Sequence, residues 1–256
     1  MKVSRVLFPD WLWIALMFVM TLGGTVRAAD LVDNWSFLEP GVQPKTWNFA
    51  PAGFPIFISG LKAGGVVDAT STPVNPFSAG SRALYVEPAP PNGALRIFTR
   101  PFPDKTPSQG FYEFTFRLID DGFGFSSQVF SDAWDPSGTW YHSKTESLFG
   151  VSFTPGKPFF CGSPKRTLVT ASVKSLATEE NYTFRVEWQT SGDTLEFRLL
   201  LNGEPLTDAN GAVVSFPVPL NQLENGVLGF RLASGSADAA HFTGFLGSIQ
   251  SGTTAP

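Results

Sequence analysis

Ser131–Thr145, SDAWDPSGTWYHSKT, is the segment whose residue types best suit ligand binding, if the chain binds one. Trp134, Trp140 and Tyr141 offer flat aromatic faces that stack on sugar rings. Asp135 and His142, with Asp132 beside them, offer hydrogen bonds to hydroxyl groups. Pro136, Gly138 and the short polar residues between them mark a loop, and loops carried on a rigid scaffold are common binding positions. We therefore take Trp134, Asp135, Trp140, Tyr141 and His142 as the candidate ligand-binding residues. The competing expectation is that Trp134 and Trp140 fold down to cap the protein's edge, as large aromatic residues often do.

Other chemistries find less support. Hydrolysis of a glycosidic bond needs two carboxylates facing the same bond, about 5–5.5 Å apart in a retaining enzyme. On a strand that means acidic residues two or four apart, and no Glu-x-Asp or Asp-x-Glu triplet falls inside a strand-like segment. Glu187 has Arg185 and Gln189 as same-face neighbours, and Glu113 has Phe111 and Thr115, so both look like polar decoration of a wet face. An elimination site would need a Tyr/His or Tyr/Lys base set. Tyr141, His142 and Lys144 have the right types, but adjacent residues on an extended chain point to opposite sides. No catalytic residue is assigned, and a non-enzyme is favoured.

No metal ligand is assigned either. With His142 and His241 as the only histidines, a zinc site of three or four nitrogen and sulfur ligands is not expected. Calcium is the ion that remains open, through Asp120-Asp121-Gly122 or Asp132 and Asp135, although Asp-Asp-Gly is also an ordinary turn. Cys161 is the sole cysteine, so no intramolecular disulfide forms and a bystander thiol is expected. Asn34-Trp35-Ser36 and Asn181-Tyr182-Thr183 fit the N-glycosylation pattern.

The elements that must carry these residues are strands. In Tyr182–Leu206, Tyr182, Phe184, Val186 and Trp188 alternate with Thr183, Arg185, Glu187 and Gln189. After a turn at Thr190–Asp193, Leu195, Phe197, Leu199 and Leu201 continue the period of two, which predicts an antiparallel hairpin with one wet face. Phe111–Ile119 alternates in the same way. Further strands are predicted at Ile56–Ser59, Val66–Ala69, Arg82–Val86, Leu95–Thr99, Ser126–Phe130 and Leu148–Phe153. The series ends with Val169–Val173, Thr194–Asn202, Val213–Val218, Val227–Ala233 and His241–Ile249. Asn202-Gly203 is a strong hairpin-turn signal, and Leu220–Glu224 makes one helical turn at most. Many short strands without helices predict an all-β protein, an antiparallel β-sandwich or jelly roll. The 25 Phe residues suit a core built between sheets.

Residues 1–28 are expected to be a cleaved secretory signal. Lys2 and Arg5 precede the apolar run Trp11–Leu22, and Val26-Arg27-Ala28 supplies a cleavage site. That run is roughly 12 residues, short of the ~20 a spanning helix needs. Residues 29–51 are expected to pack across the sandwich, because Trp35, Phe37, Trp47 and Phe49 need cover. Residues 52–250 form the sandwich, and 251–256 a polar tail. Without residues 1–28, 15 basic and 21 acidic residues remain, a net charge of −6. No basic run survives, so nucleic acid is not an expected partner, and nothing anchors the chain to a membrane after cleavage. The oligomeric state is not encoded in any motif.

Three segments give the chain a family resemblance. Ala83-Leu84-Tyr85-Val86, the run Gly110–Leu118 and Tyr182–Gly203 followed by Val227–Leu232 resemble strands of the concanavalin A-like lectin/glucanase superfamily, in the laminin-G-like form of secreted bacterial proteins. The resemblance covers most of residues 52–250. It implies the sandwich fold, but its motifs are strand patterns that carry no function, and the family spans lectins, glycan hydrolases, lyases and plain adhesion modules. The signal segment points to a secreted or periplasmic protein, and a polysaccharide or cell-surface glycan is the partner expected of a binding module. The last strand, Gly244–Ile249, departs from the family's Asp-Asn-Ile-like ending, and the E-x-D-x-x-E motif of its glucanases is missing. The leading expectation is a non-enzymatic binding or structural module. The alternatives are a polysaccharide hydrolase or lyase with a divergent site, and a passive envelope component.

Overall fold

A computed structural model describes residues 31–33, 35, 38–42, 56–59, 61–88, 94–99, 102, 105–120, 125–131, 147–153, 160–162, 169–170, 176–208, 210–223, 228–234 and 243–253. Among the described residues, sixteen strands run in chain order. They are β1 (Leu31–Asp33), β2 (Ile56–Ser59), β3 (Leu61–Val67), β4 (Ala83–Pro88), β5 (Ala94–Thr99), β6 (Gln109–Leu118), β7 (Phe125–Ser131) and β8 (Ser147–Phe153). Then come β9 (Phe160–Gly162), β10 (Val169–Thr170), β11 (Asn181–Ser191), β12 (Thr194–Leu201), β13 (Glu204–Pro205), β14 (Ser215–Pro219), β15 (Leu228–Ser234) and β16 (Gly244–Gly252). Leu220–Gln222 is a single 3-10 turn, the one helical turn the sequence allowed.

These strands form two sheets whose described pairings are all antiparallel. The larger runs β13-β12-β11-β6-β16-β4-β3, with β1 on β16 and β14 on β12. The smaller runs β10-β9-β8-β7-β15-β5-β2. Between them lies an aromatic core in which Phe114 and Phe153 meet edge to face at 6.2 Å, Phe149 stacks on Phe216 at 4.6 Å and Tyr112 stacks on Phe230 at 4.3 Å. Ring pairs of this kind add about 0.5–1.5 kcal/mol each beyond the area they bury. The architecture is the predicted all-β antiparallel sandwich.

The hairpin reading is accurate at its centre. Tyr182, Phe184, Val186 and Trp188 are buried, and β11 pairs β12 from Phe184↔Leu201 to Ser191↔Thr194. The turn is tighter than Thr190–Asp193, because pairing continues through Ser191 and leaves Gly192-Asp193 at the tip, Gly192 having φ +62°. Asn202 (φ +52°) and Gly203 (φ +83°) take the two positive φ angles of a type I′ turn between β12 and β13.

Several boundaries move. The strand predicted at Val66–Ala69 is Leu61–Val67, since backbone pairing to β4 carries it through the featureless Lys62–Gly65. Val213–Val218 becomes Ser215–Pro219, with Val213 only bridged to Thr207. This strand lies against β12 with nothing hydrogen-bonded beyond it among the described residues, where Pro217 and Pro219 are tolerated. His241–Ile249 becomes Gly244–Gly252, so the residues assigned to a polar tail begin inside a strand. Leu31–Asp33, predicted irregular, pairs with that strand at Leu31↔Ser251. Trp35 beyond it is fully buried, whereas Phe37, Trp47 and Phe49 lie outside the described residues.

Candidate functional site

Trp134, Asp135, Trp140, Tyr141 and His142 lie outside the described residues, as do Asp121, Gly122 and Asp132. The segment that carries Asp132 and the five candidates joins β7 to β8, neighbours within the smaller sheet. What the structure does place is a polar band and a cleft on the outer face of the larger sheet.

The band follows from register. β6 and β11 pair so that Phe111 faces Glu187, Glu113 faces Arg185, Thr115 faces Thr183 and Arg117 faces Asn181. On the other side of β6, Gln250 of β16 faces Glu113. Arg185 Nε donates to Glu113 Oε2 at 2.7 Å, its Nη1 donates to Glu187 Oε1 at 3.2 Å, and its guanidinium lies 4.3 Å over the Phe111 ring. Gln250 Nε2 donates to the other oxygen of Glu113. The two glutamate side chains are only 12 % and 13 % exposed, which corrects their reading as solvent-exposed decoration. They do share one face, on adjacent strands rather than along one strand. One guanidinium clamps both, so the arrangement serves as a clasp and offers neither a free general acid nor a free nucleophile.

The cleft opens beside this band and holds about 200 Å³. Phe77, Ser78, Ser81 and Arg82 line it from the loop between β3 and β4, Thr115 and Asn181 from β6 and β11, and Gly247 and Ser248 from β16. Each wall has a local cause. In the loop, Asp68 Oδ1 accepts from the Thr70 amide and hydroxyl, both at 2.8 Å, and from the Ser71 hydroxyl at 3.0 Å. Those bonds, the Thr70 hydroxyl's first, hold the Asp68 carboxyl below its usual range. Asn75, 8 % exposed, accepts from the Phe77 amide at 3.0 Å and donates to the Ser81 carbonyl at 2.8 Å and hydroxyl at 3.0 Å. Its side chain thus braces the turn that carries Phe77, whose side chain packs against Val67, Ala83 and Phe245.

On the sheet side, register between β16 and β6 shifts between Leu246 and Ile249, so Gly247 and Ser248 form a bulge. The Trp35 indole donates to the Gly247 carbonyl at 2.7 Å and pins it. Gly247 is required here, because a Cβ would sit 2.1 Å from Thr115 Oγ1 and 3.0 Å from the Phe77 ring. Asn181 Nδ2 donates to the Pro76 carbonyl at 3.0 Å and Arg117 Nη1 donates to Asn181 Oδ1 at 3.4 Å, so this amide is already engaged in the wall. Nearby, burial and the hydrogen bond to Glu87 push the Tyr85 hydroxyl up to about 12.

Among the described residues, no group of three or more His, Cys, Asp or Glu side chains could hold a metal ion. The sequence reading missed the cleft because its walls come from four separate stretches. The only local signal was the turn-rich Asp68–Ser81.

No protein family and no curated protein sequence matches the chain. Solved structures do. The chain is similar to Trypanosoma rangeli sialidase bound to the inhibitor DANA, with TM-score 0.51 and 10 % identity over 93 % of this chain and 33 % of the sialidase. It therefore spans about a third of that enzyme's length. It is also similar to lectin UEA-II complexed with galactose (TM-score 0.45, 15 % identity, 88 % of this chain and 100 % of the lectin). A third likeness is to endo-1,3-beta-glucanase from Streptomyces sioyaensis (TM-score 0.45, 10 % identity, 88 % and 95 %). At such identities the likeness is one of fold alone, an antiparallel β-sandwich.

Proposed function

We propose that this protein is an exported, non-enzymatic glycan-binding sandwich of the laminin-G-like form. The observation that carries the reading is the cleft: one aromatic wall, Phe77, faces hydroxyls and an amide from Ser78, Ser81, Thr115, Asn181 and Ser248. An apolar face beside a few fixed polar groups is the usual make-up of a small-molecule site. Its 200 Å³ is below the roughly 300–1,000 Å³ of drug-sized sites, which limits it to a single ring. Trp134, Asp135, Trp140, Tyr141 and His142 make a second proposed contact region on the segment between β7 and β8. Export rests on the basic start and short apolar run of residues 1–28, and N-terminal sequencing of protein from the medium tests cleavage after Ala28.

Thermal unfolding of the purified protein against a polysaccharide panel, with and without calcium, tests binding. A ligand at a hundredfold excess over its dissociation constant adds ~2.7 kcal/mol of stability. Phe77→Ala abolishes the shift if the cleft holds the sugar, and Trp140→Ala abolishes it if the other segment does. A panel in which no glycan moves the midpoint overturns the reading.

A further inference from the structure

Resting on the glycan-binding reading, we infer that the cleft reads a neutral sugar, through the hydroxyls of Thr115, Ser248 and Ser78. The polar groups around the cleft divide by whether the protein already uses them. The Asn181 amide is engaged at both ends, donating to the Pro76 carbonyl at 3.0 Å and accepting from Arg117 at 3.4 Å. The Ser81 hydroxyl donates to the Ser78 carbonyl at 2.6 Å and accepts from Asn75 at 3.0 Å. Arg82 donates to the Leu38 carbonyl and pairs with Glu39 at 3.4 Å. The three hydroxyls that remain, on Thr115, Ser248 and Ser78, make no hydrogen bond among the described residues.

These hydroxyls converge. Phe116 pairs with Leu246 and Phe114 with Ile249, so Thr115 faces the two-residue bulge Gly247-Ser248. Thr115 and Ser248 therefore stand on adjacent strands, with Cβ atoms about 5 Å apart. That separation lets each bond one of two hydroxyls on neighbouring ring carbons. The point where a Gly247 Cβ would lie is 2.1 Å from Thr115 Oγ1 and 3.0 Å from the Phe77 ring, so hydroxyl and aromatic face border the same space. A sugar ring stacked on Phe77 thus turns its edge hydroxyls to Thr115 and Ser248, with Ser78 on the loop wall. A hydroxyl has one donor and two acceptor positions, which suits a partner that also donates and accepts, as a sugar hydroxyl does. A carboxylate or sulfate only accepts, and entering the cleft strips water from a charge that three neutral hydroxyls do not balance. An ammonium group only donates, and none of the residues lining the cleft is acidic.

An array of neutral oligosaccharides built on glucose, galactose or mannose tests the inference, each beside the counterpart whose terminal CH2OH is oxidised to a carboxylate. Affinities are then measured by titration calorimetry. The expected result is binding to neutral members, weakened about three- to tenfold by Thr115→Val or by Ser248→Ala. Deoxy analogues that each lack one ring hydroxyl supply a readout that a merely structural role would not move. The analogue without the hydroxyl that meets Thr115 binds wild type and Thr115→Val equally. Ser248→Ala, which removes a single oxygen, decides the matter should Thr115→Val disturb the fold. Equal or tighter binding of the oxidised members overturns the neutral assignment, and unchanged affinity in both variants overturns the choice of hydroxyls. Either result leaves the glycan-binding reading standing. No binding to any member overturns both.

Discussion

Replacing Arg185 by Met removes the cation that two nearly buried carboxylates share, and the cost is large enough to measure. An exposed ion pair contributes about 0–1 kcal/mol, whereas removing one partner of a fully buried pair costs about 3–5 kcal/mol. The clasp lies between these limits, since Glu113, Glu187 and Arg185 side chains are 12 %, 13 % and 22 % exposed. The guanidinium also covers the Phe111 ring at 4.3 Å, a contact contributing about 0.5–1 kcal/mol. Together these give a loss of about 2–3 kcal/mol for Arg185→Met. Urea unfolding followed by tryptophan fluorescence reads this as a lower midpoint with an unchanged slope. The triple variant Arg185→Met, Glu113→Gln, Glu187→Gln should recover all but about 1 kcal/mol, because the uncompensated charges are gone. A single-variant loss below about 0.5 kcal/mol would refute the reasoning and return the three residues to ordinary wet-face decoration.

Gly247→Ala forces Thr115 and Phe77 apart and should cost about 1–3 kcal/mol, while glycan affinity falls further than stability alone explains; unchanged affinity by calorimetry contradicts the cleft. Trp35→Phe strips the donor from the buried Gly247 carbonyl and should cost about 1–3 kcal/mol by urea unfolding, with weaker glycan binding because the bulge is no longer pinned. The Tyr85 hydroxyl, pushed up to about 12, favours its neutral form in the fold. Its contribution to stability is complete below the ordinary tyrosine value near 10 and is lost between there and about 12. Glu87→Gln narrows that window without abolishing it, because burial is the larger cause, and ultraviolet titration of the wild type and variant checks both points.

The sandwich was legible because its central strands obey a simple rule. Phe111–Ile119 and Tyr182–Gln189 alternate on a period of two, and the alternating apolar residues are the ones the structure buries. Strands whose residues do not alternate left no such trace. Leu31–Asp33 is three residues long and finds its partner at Ser251, at the far end of the chain. Leu61–Val67 contains Gly64-Gly65, with no side chains to show a period.

The outer face was illegible for a related reason: alternation says which side a residue faces, and only register says what it meets there. Glu113 and Glu187 are 74 positions apart, and no spacing rule joins them until β6 and β11 align so that Arg185 reaches both. The cleft adds one more layer, since register must also fail at one point. Without the shift between Leu246 and Ile249, β16 would present an ordinary side chain to Thr115, and the space beside Phe77 would be filled. The bulge that empties this space is fastened to the core by Trp35, and the turn that carries Phe77 is braced by buried Asn75. Substitutions deep in the fold should therefore tune binding through these two supports. That coupling distinguishes a built site from an accidental hollow in a sheet surface.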